Sequence, residues 1–492
     1  MRPTTDPVIS RRATVFRLVH RCAERLHVEP QLQLDIRSTT TSLSAADQLR
    51  PRWTPPGLCN FADGPVSVVA CHRQQPDNTG LSDAQKKKYK TSVRTGTSVV
   101  TAKPTSDLAI TMWSSVAALL LLGLTATASA TSVSCYWGSW ATYRAGPANV
   151  EVADIDTTLC TQVVYAFAGL DETTNSIKSL DPYNDLEENF GKGNYKKFTA
   201  LADQGVAPLL GVGGWNEGSV KYSTMASTAT SRSAFATNAV SFLQQYGFKG
   251  LQLDWQYPGQ RGGSAADREN FVLLCQELHQ RLADAGLSFG IAVGALHGMT
   301  ETSYDVPSLI PYVDWVNLMS YDYATASTDR LTANMAPLWP RLNVTSYLNV
   351  DATVQEWISA GAPAAKLRVG APFYGRTYTL TNPDSHGLDA PVVGAGVAGA
   401  YTQEAGLLAY FEICMATWTE TVIEDGEAYA YSGNQWVSFK NPQTMQTLGE
   451  YAVQKGLDGA HIWSIESDDN HNTCGGGAKP LLNSLNKGLG LQ

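Results

Sequence analysis

The sequence is poor in the residue patterns that hold metals or cross membranes. Its 492 residues include only 8 histidines and 8 cysteines, and neither a Cys-x-x-Cys pair nor a Cys/His cluster suggests a metal site. The apolar run from Val116 to Leu124 is far shorter than the ~20 residues that a membrane-spanning helix needs. We therefore expect no metal, no other cofactor and no membrane span.

Positive charge is scarce in the larger part of the chain. Residues 1–111 carry 16 basic and 9 acidic groups, about +7, while the whole chain has a net charge of −9, which leaves about −16 for the remainder. An acidic protein repels the phosphates of nucleic acids and anionic membranes. The charge therefore argues against nucleic acid as a partner, whereas a hydrophobic content of 43% is enough for a folded core.

The first 130 residues are interpreted as two segments outside the folded domain. Residues 1–111 are rich in Arg, Ser, Thr and Pro without sustained periodicity, which predicts an extension that is either disordered or not translated. A basic functional arm is the alternative. Residues 112–130 are typical of a secretory signal peptide, with an apolar core and the small-residue cleavage site Ala128-Ser-Ala130. We expect a secreted, extracellular protein beginning near Thr131, with an uncleaved signal anchor as the alternative.

Five cysteines follow residue 130, and an odd number in an exported chain leaves one thiol over. They are Cys135, Cys160, Cys275, Cys414 and Cys474. Because Cys275 lies in the amphipathic segment 271–282, which predicts a helix, we expect it to be a buried free thiol.

After Thr131, short apolar runs alternate with longer amphipathic segments, which is typical of repeated βα units. The predicted strands are residues 132–137, 162–169, 207–213, 250–256, 288–295, 315–320, 366–372 and 459–464. Eight such strands over some 350 residues predict an α/β fold, a TIM (β/α)8 barrel. In this fold, functional side chains lie at the carboxyl ends of the strands.

The stretch at residues 250–256 alternates between polar and apolar side chains. One face would carry Gln252, Asp254 and Gln256, and the other Leu251, Leu253 and Trp255. A barrel strand buried on both faces is normally apolar throughout, and burying uncompensated polar groups is costly. The polar face is therefore predicted to look into a wet or functional interior.

Residues 249–258, K-G-L-Q-L-D-W-Q-Y-P, resemble the fourth strand of family-18 chitinases, whose pattern is D-G-x-D-x-D-W-E-Y-P. In that family the Glu is the general acid, the substrate's own acetamide attacks the sugar carbon, and the Asp row orients that acetamide. Here Gln256 stands at the acid position and Gln252 at the central Asp, while Asp254 is kept. General acid catalysis contributes ~10²–10⁴ in rate, and an amide has no proton to give. The resemblance therefore implies a relative with no catalytic residue.

Other strand ends resemble the family in the same order over roughly residues 132–485. The motifs are C-Y-W-G-S-W at 135–140, V-Y-A-F-A at 164–168, G-V-G-G-W-N at 211–216, M-S-Y-D at 319–322, P-F-Y-G-R at 372–376 and I-W-S at 462–464. The resemblance implies that sugar would contact Tyr136, Trp140, Trp215, Asp254, Gln256, Met319, Tyr321, Asp322, Tyr374, Arg376 and Trp463. It also implies a small α+β insertion at about residues 376–445, between strands seven and eight. It further implies the disulfides Cys135–Cys160 and Cys414–Cys474.

The aromatic residues have a second interpretation. Trp140, Trp215 and Trp463 could each be core residues, but their shared position at strand ends favours a cleft. Trp255 faces away from Gln252, Asp254 and Gln256, so we expect it to pack against a helix.

The polar residues also leave alternatives open. Asp254 either holds a ligand acetamide or is a structural acid satisfied by its neighbours. Gln252 and Gln256 either bind ligand or fill the places of two carboxylates isosterically. Asp322 and Arg376 could form a structural ion pair instead of contacting sugar hydroxyls.

These observations lead to one leading hypothesis and two alternatives. We expect a monomeric chitinase-like protein that binds chitin or N-acetylglucosamine oligosaccharides without cutting them and is N-glycosylated at Asn343. It resembles the arthropod group that includes imaginal disc growth factors and mosquito bacteria-responsive proteins, which implies an immune, salivary or growth-factor-like role. The alternatives are an active chitinase that recruits another acid, and a protein that binds a cell-surface receptor and keeps a vestigial cleft.

Overall fold

The structure is a computed structural model, and it describes residues 131–341 and 347–492. The extension at 1–111, the signal peptide at 112–130 and the sequon at Asn343 lie outside the described residues. The strands are β1 Ser132–Gly138, β2 Gln162–Asp171, β3 Ser176–Ser179, β4 Ala207–Gly213, β5 Gly250–Asp254, β6 Ser288–Gly294, β7 Trp315–Met319, β8 Leu367–Pro372, β9 Tyr374–Leu380, β10 Val392–Ala395, β11 Leu407–Ala409, β12 Glu420–Glu424, β13 Glu427–Ser432, β14 Gln435–Phe439 and β15 Gly459–Trp463. The α-helices are Pro182–Asp185, Asn194–Thr199, Val220–Ala226, Ala229–Tyr246, Asp267–Asp284, Met299–Thr302, Val306–Leu309, Val350–Ser359, Tyr410–Met415, Pro442–Lys455 and Pro480–Gly488.

Eight parallel strands close into a barrel, which confirms the predicted fold. The sheet runs β1-β15-β8-β7-β6-β5-β4-β2, and β1 also pairs with β2, so the ring has no free edge. The short strand β3 adds antiparallel to the carboxyl end of β2. Buried apolar residues fill the layer between strands and helices, as expected for parallel strands covered on both faces.

The barrel interior is packed around one large side chain. Trp315 lies inside with Tyr136, Val164 and Leu209. A side chain at Gly290 on the neighbouring strand would collide with the Trp315 indole. The glycine therefore gives this indole its place inside the barrel.

Strand β5 is shorter than the sequence predicts. The prediction that it reaches Gln256 is wrong, because β5 ends at Asp254 and its pairing with β6 stops at Leu253. Trp255 is then buried in the helix layer, where its Nε1 donates to Ser219 Oγ at 2.7 Å. The predicted packing of Trp255 against helices is confirmed by its ring contacts with Tyr222 and Phe271.

A second sheet lies in the chain between barrel strands β8 and β15. Its strand order is β10-β9-β14-β13-β12, with β11 paired to β9, and it includes the helix Tyr410–Met415. This is the predicted α+β insertion, and its strands run from Tyr374 to Phe439. It is tied to the region around β7 by a fully buried pair, Glu427 and Lys440, which bond the backbone of Ala336.

The cysteines are arranged as expected. The disulfides Cys135–Cys160 and Cys414–Cys474 are present, with Cα–Cα distances of 6.0 and 5.9 Å. Cys275 is a free thiol buried in the helix Asp267–Asp284. Within residues 131–341 and 347–492, none of the helices combines the length and the apolarity that crossing a bilayer would require.

Candidate functional site

The carboxyl ends of the barrel strands bring the predicted site residues together. Asp254, Met319 and Trp463 are the last residues of β5, β7 and β15. Tyr136 lies near the end of β1, and Tyr374 opens β9 directly after β8. All of these residues are at one end of the barrel, the end where barrel enzymes carry their sites.

Asp254 is the central polar group of the mouth. It is only 3% exposed, and its two oxygens accept from Gln256 Nε2 at 2.9 Å and from the Tyr136 hydroxyl at 3.5 Å. Burial raises the pKa of Asp254 to about 6, although these two hydrogen bonds work in the opposite direction. Burial and the nearby Asp254 charge raise the pKa of Tyr136 well above its ordinary value, so the phenol keeps its proton and donates.

Gln256 is held by both its side chain and its backbone. Besides Asp254, its Nε2 lies 3.5 Å from Met319 Sδ, and its carbonyl oxygen accepts from Arg261 Nη1 at 2.9 Å. In the described part of the chain, Asp254 is the only carboxylate that hydrogen-bonds the Gln256 amide. Because the amide nitrogen points at a carboxylate, this position acts as a hydrogen-bond donor.

Gln252 occupies a different place from Gln256. It is fully buried inside the barrel, where its Oε1 accepts from Trp315 Nε1 at 2.8 Å and its Nε2 has no hydrogen-bond partner. We call Gln252, Asp254 and Gln256 the polar row. Since Gln252 is enclosed by the barrel, its position favours the isosteric interpretation over direct ligand contact.

Four rings pack together beside the polar row, and we call them the aromatic floor. Trp463 is its centre: its ring centroid is 5.6 Å from Phe167 in a stacked arrangement, 5.5 Å from Tyr136 and 6.1 Å from Trp140. Trp463 is half-buried, while Trp140 is 37% exposed. Packed rings with one open face suit the apolar face of a flat, hydroxyl-edged ligand.

Trp215 lies at a separate edge of the site. It is 59% exposed, and the Arg261 guanidinium stacks 3.6 Å from its ring centroid. Arg261 also donates to the Trp215 carbonyl oxygen at 2.9 Å, which joins the loops after β4 and β5. The sequence interpretation missed Arg261 and Phe167. Phe167 lies within the matched Y-A-F motif, but no sequence signal marks Arg261.

Asp322 and Arg376 form a bidentate ion pair at the mouth, as one of the two interpretations predicted. Arg376 Nε and Nη2 donate to the two oxygens of Asp322 at 2.7 and 2.6 Å. The Arg376 guanidinium lies 5.3 Å from the Tyr374 ring centroid, and Tyr321 contacts Tyr374 edge-on. The pair is partly exposed, so sugar contact by Asp322 and Arg376 stays a prediction.

Apart from Asp254, no carboxyl group in the described residues hydrogen-bonds Gln256. His461, which lies beside Tyr136 and Tyr321, is buried, and burial together with Arg368 lowers its pKa to about 3, so it stays neutral. Three other carboxylates near the barrel mouth have partners of their own: Asp322 binds Arg376, Glu217 binds Lys221 and Leu170 N, and Glu466 binds Ser464 and Gly138 N.

The described residues contain one cluster with metal-ligand chemistry, formed by Cys414, Asp469 and Cys474. The two sulfurs are joined in a disulfide, so they have no thiolate to offer a metal. Asp469 is occupied by Thr473 and by the backbone N–H of Cys474. We assign this cluster a structural role.

Known proteins share both the sequence and the architecture. The family model described as "Glycosyl hydrolases family 18" matches residues 132–468. Chitotriosidase-1 of Mus musculus is 35% identical over 394 residues, which are 77% of this chain and 82% of that protein. Probable chitinase 10 of Drosophila melanogaster is 36% identical over 370 residues, which are 73% of this chain but only 16% of that larger protein.

Solved structures give the same result. The Group IV chitinase of Ostrinia furnacalis superposes with a TM-score of 0.70 at 40% identity, covering 73% of this chain and 100% of that one. Human YKL-39, described as a pseudo-chitinase with retained chitooligosaccharide binding properties, superposes with a TM-score of 0.67 at 29% identity, covering 73% of this chain and 100% of that one. The family match spans more than half of the sequence, and the barrel with its insertion agrees with it. The chain therefore belongs to glycosyl hydrolase family 18.

Proposed function

We propose that this protein is a secreted, non-hydrolytic chitinase-like protein that binds chitin-type N-acetylglucosamine oligosaccharides at the barrel mouth. The hydrogen bond from Gln256 to Asp254 carries the proposal, because it puts a neutral amide where the family pattern has its general acid. An amide donates a hydrogen bond but releases no proton near neutral pH. Protonation of a glycosidic oxygen therefore has no source at this position.

The surroundings of Gln256 support loss of the reaction. His461 is neutral and enclosed, and Asp322 is committed to Arg376. Asp254 has a pKa of about 6 and could hold a proton at mildly acidic pH, but its oxygens are occupied by Gln256 and Tyr136. A hydrolase that recruits another acid would need one of these groups to leave its present partner.

The same arrangement supports binding. The open face of the aromatic floor matches the apolar face of a pyranose ring, while the ionised Asp254 is an acceptor suited to an acetamide N–H. YKL-39 is described as keeping chitooligosaccharide binding as a pseudo-chitinase, so the two properties occur together in a structural neighbour.

Two measurements on the purified protein test the proposal together. Turnover of a chromogenic chitin oligomer should stay at background, and calorimetric titration with N-acetylglucosamine oligomers should show affinity that rises with length. Turnover at the level of an ordinary chitinase would contradict the proposal. No heat at any length, with tight binding to a cell-surface receptor, would favour the vestigial-cleft alternative.

Secretion is tested separately. On expression in insect cells, the protein in the medium should begin near Thr131, and enzymatic deglycosylation should lower its mass through Asn343. Recovery in the membrane fraction with residues 112–130 still attached would instead indicate a signal anchor. Light scattering on the same sample should give the mass of a monomer.

A further inference from the structure

A cavity of about 150 Å³ lies outside the barrel mouth, between the segment that follows β7 and the second sheet. We call it the side cavity. The side chains that decide its chemistry are Asn334, Trp339, Arg341, Leu388 and Asp425. A cavity of this volume has room for a molecule of about one six-membered ring.

A short stretch of chain separates the side cavity from the mouth. Met335 and Ala336 are buried on the mouth side, where they pack with Tyr374. The flanking residues Asn334 and Pro337 line the side cavity instead. None of the residues that the family resemblance assigns to sugar contact belongs to this lining, so the side cavity is distinct from the mouth.

Backbone hydrogen bonds fix the walls of the side cavity. Thr332 N donates to the Ala390 carbonyl, and Asp389 N donates to the Thr332 carbonyl, both at 2.9 Å. Leu338 N donates to the Asp425 carbonyl at 2.8 Å. Because these bonds already join the segment after β7 to the second sheet, a ligand would enter a preformed site at little cost in ordering.

Two acceptors at one end of the side cavity lack donors. Asn334 is only 7% exposed; its Nδ2 donates to the Glu424 carbonyl at 3.1 Å, while its Oδ1 has no hydrogen-bond partner in the described part of the chain. The next residue, Asp425, has a carboxyl group whose pKa is raised by burial, and the charge of Arg341 opposes this only in part. A buried acceptor without a donor is costly, so both groups favour a donor that enters the cavity.

The charge of the lining favours a cation. Its acidic residues are Asp329, Asp389 and Asp425, and its one basic residue is Arg341. The Arg341 guanidinium is already paired with Asp389 and lies 3.8 Å from Glu424. Arg341 is therefore not available to hold an anion, and the lining keeps an excess of negative charge.

The rest of the side cavity suits an apolar body. The Trp339 ring meets Tyr451 edge-on at 5.2 Å and is 37% exposed, and Leu388 adds an aliphatic wall. An indole attracts cations as well as apolar groups.

We propose that the side cavity binds a small organic ammonium ion whose body is about the size of one six-membered ring. The ammonium donates to the Asp425 carboxylate and to Asn334 Oδ1, and the body lies against Trp339 and Leu388. This site does not depend on the proposed function of the mouth, because the two share no residues.

The test uses three probes of one shape and different charge. Calorimetric titration of the purified protein with 2-phenylethylammonium should show binding at least tenfold tighter than with neutral 2-phenylethanol, and anionic 3-phenylpropionate should not bind. In Asp425→Asn, affinity for the ammonium should fall about tenfold, to the level of the alcohol. Asn suits this position because φ of Asp425 is 55°, a left-handed conformation that Asn and Asp both adopt.

Two further variants are controls. Asp203→Asn removes an exposed carboxylate from the 3-10 helix Ala200–Gln204, outside the side cavity, and should leave the affinity for the ammonium unchanged. Trp463→Ala alters the mouth and should also leave it unchanged, whether or not the mouth binds sugar.

Several outcomes would overturn the inference. Equal affinity for the ammonium and the alcohol, no heat with any probe, or an unchanged affinity in Asp425→Asn would each remove the side cavity as an ammonium site. Loss of binding in Trp463→Ala would place the probe in the mouth. Heat with Ca²⁺ that abolishes probe binding would assign the two acceptors to a metal ion instead.

Discussion

The aromatic floor and the polar row lie side by side at the barrel mouth but differ in how complete they are. The floor packs three rings around Trp463, and two of its members, Tyr136 and Trp140, are rings that the family resemblance implies. The polar row has amides, Gln252 and Gln256, at two positions where the family pattern has carboxyl groups. Stacking requires only a flat apolar surface, whereas acid catalysis requires one proton at one atom. Binding and hydrolysis can therefore be lost separately, and the following experiments test that separation.

The largest effect is expected from restoring the acid. In Gln256→Glu the new carboxyl would lie beside Asp254, and two adjacent carboxylates share a proton, which raises the pKa of one of them. Combined with Gln252→Asp, this should raise turnover of a chromogenic oligomer by ~10²–10⁴. Gln260→Glu is the matched control, because it adds a carboxyl nearby on a side chain that bonds Ser303 instead of Asp254. If the double variant gains nothing, the mouth differs from an active one in more than its acid.

Removing the centre of the floor should have the next largest effect. Trp463→Ala should weaken oligosaccharide binding about 30-fold, the size of a strong binding residue, because Trp463 contacts three other rings of the floor. Calorimetric titration measures the loss, and circular dichroism checks the fold. Trp339→Ala is the control. It removes an indole that is as exposed as Trp140 but packs on Tyr451, so it should leave affinity unchanged. Equal losses in both variants would contradict a specific floor.

The pH dependence tests the polar row without mutation. Burial raises the pKa of Asp254 to about 6, and the ionised carboxylate is a stronger acceptor for an acetamide N–H than the protonated carboxyl. Affinity should therefore fall about tenfold from pH 7 to pH 5, as the carboxylate takes up a proton. Asp254→Asn should flatten the profile. Affinity that is constant, or that rises toward acid pH in the wild type, would remove Asp254 from the binding site.

The smallest effect is expected at the edge. Trp215→Ala should weaken binding only about threefold, because one face of this exposed indole is already covered by Arg261. The loss should appear with long oligomers and vanish with short ones. A loss as large as that of Trp463→Ala would mean that the floor and the edge contribute equally, which would refute the ranking.

Most of the architecture could be predicted from local pattern. The eight barrel strands and the outward face of Trp255 were anticipated, because strand periodicity and apolar runs are written in consecutive residues. The insertion was anticipated from the family resemblance. The disulfide pairing came from the family resemblance, since spacing alone leaves several pairings open.

The polar row shows where local pattern fails. The alternation of polar and apolar side chains over residues 250–256 predicted that Gln252 and Gln256 share one face of the strand. In the structure, Gln252 is enclosed against Trp315, while Gln256 lies beyond the strand end against Asp254. Position along the barrel axis and the end of β5 decide this difference, and both depend on neighbouring strands.

The sequence by itself determined the family, the barrel and the replacement of the acid by Gln256, because each depends on residue identity or on patterns within a few residues. Only the tertiary structure decided what Gln256 bonds and how Arg261 covers Trp215. The contact of Arg261 with Trp215 joins the loops after β4 and β5, and the contact of Gln256 with Met319 joins the segment after β5 to the end of β7. Their spacing is set by closure of the barrel, which no single stretch of sequence specifies.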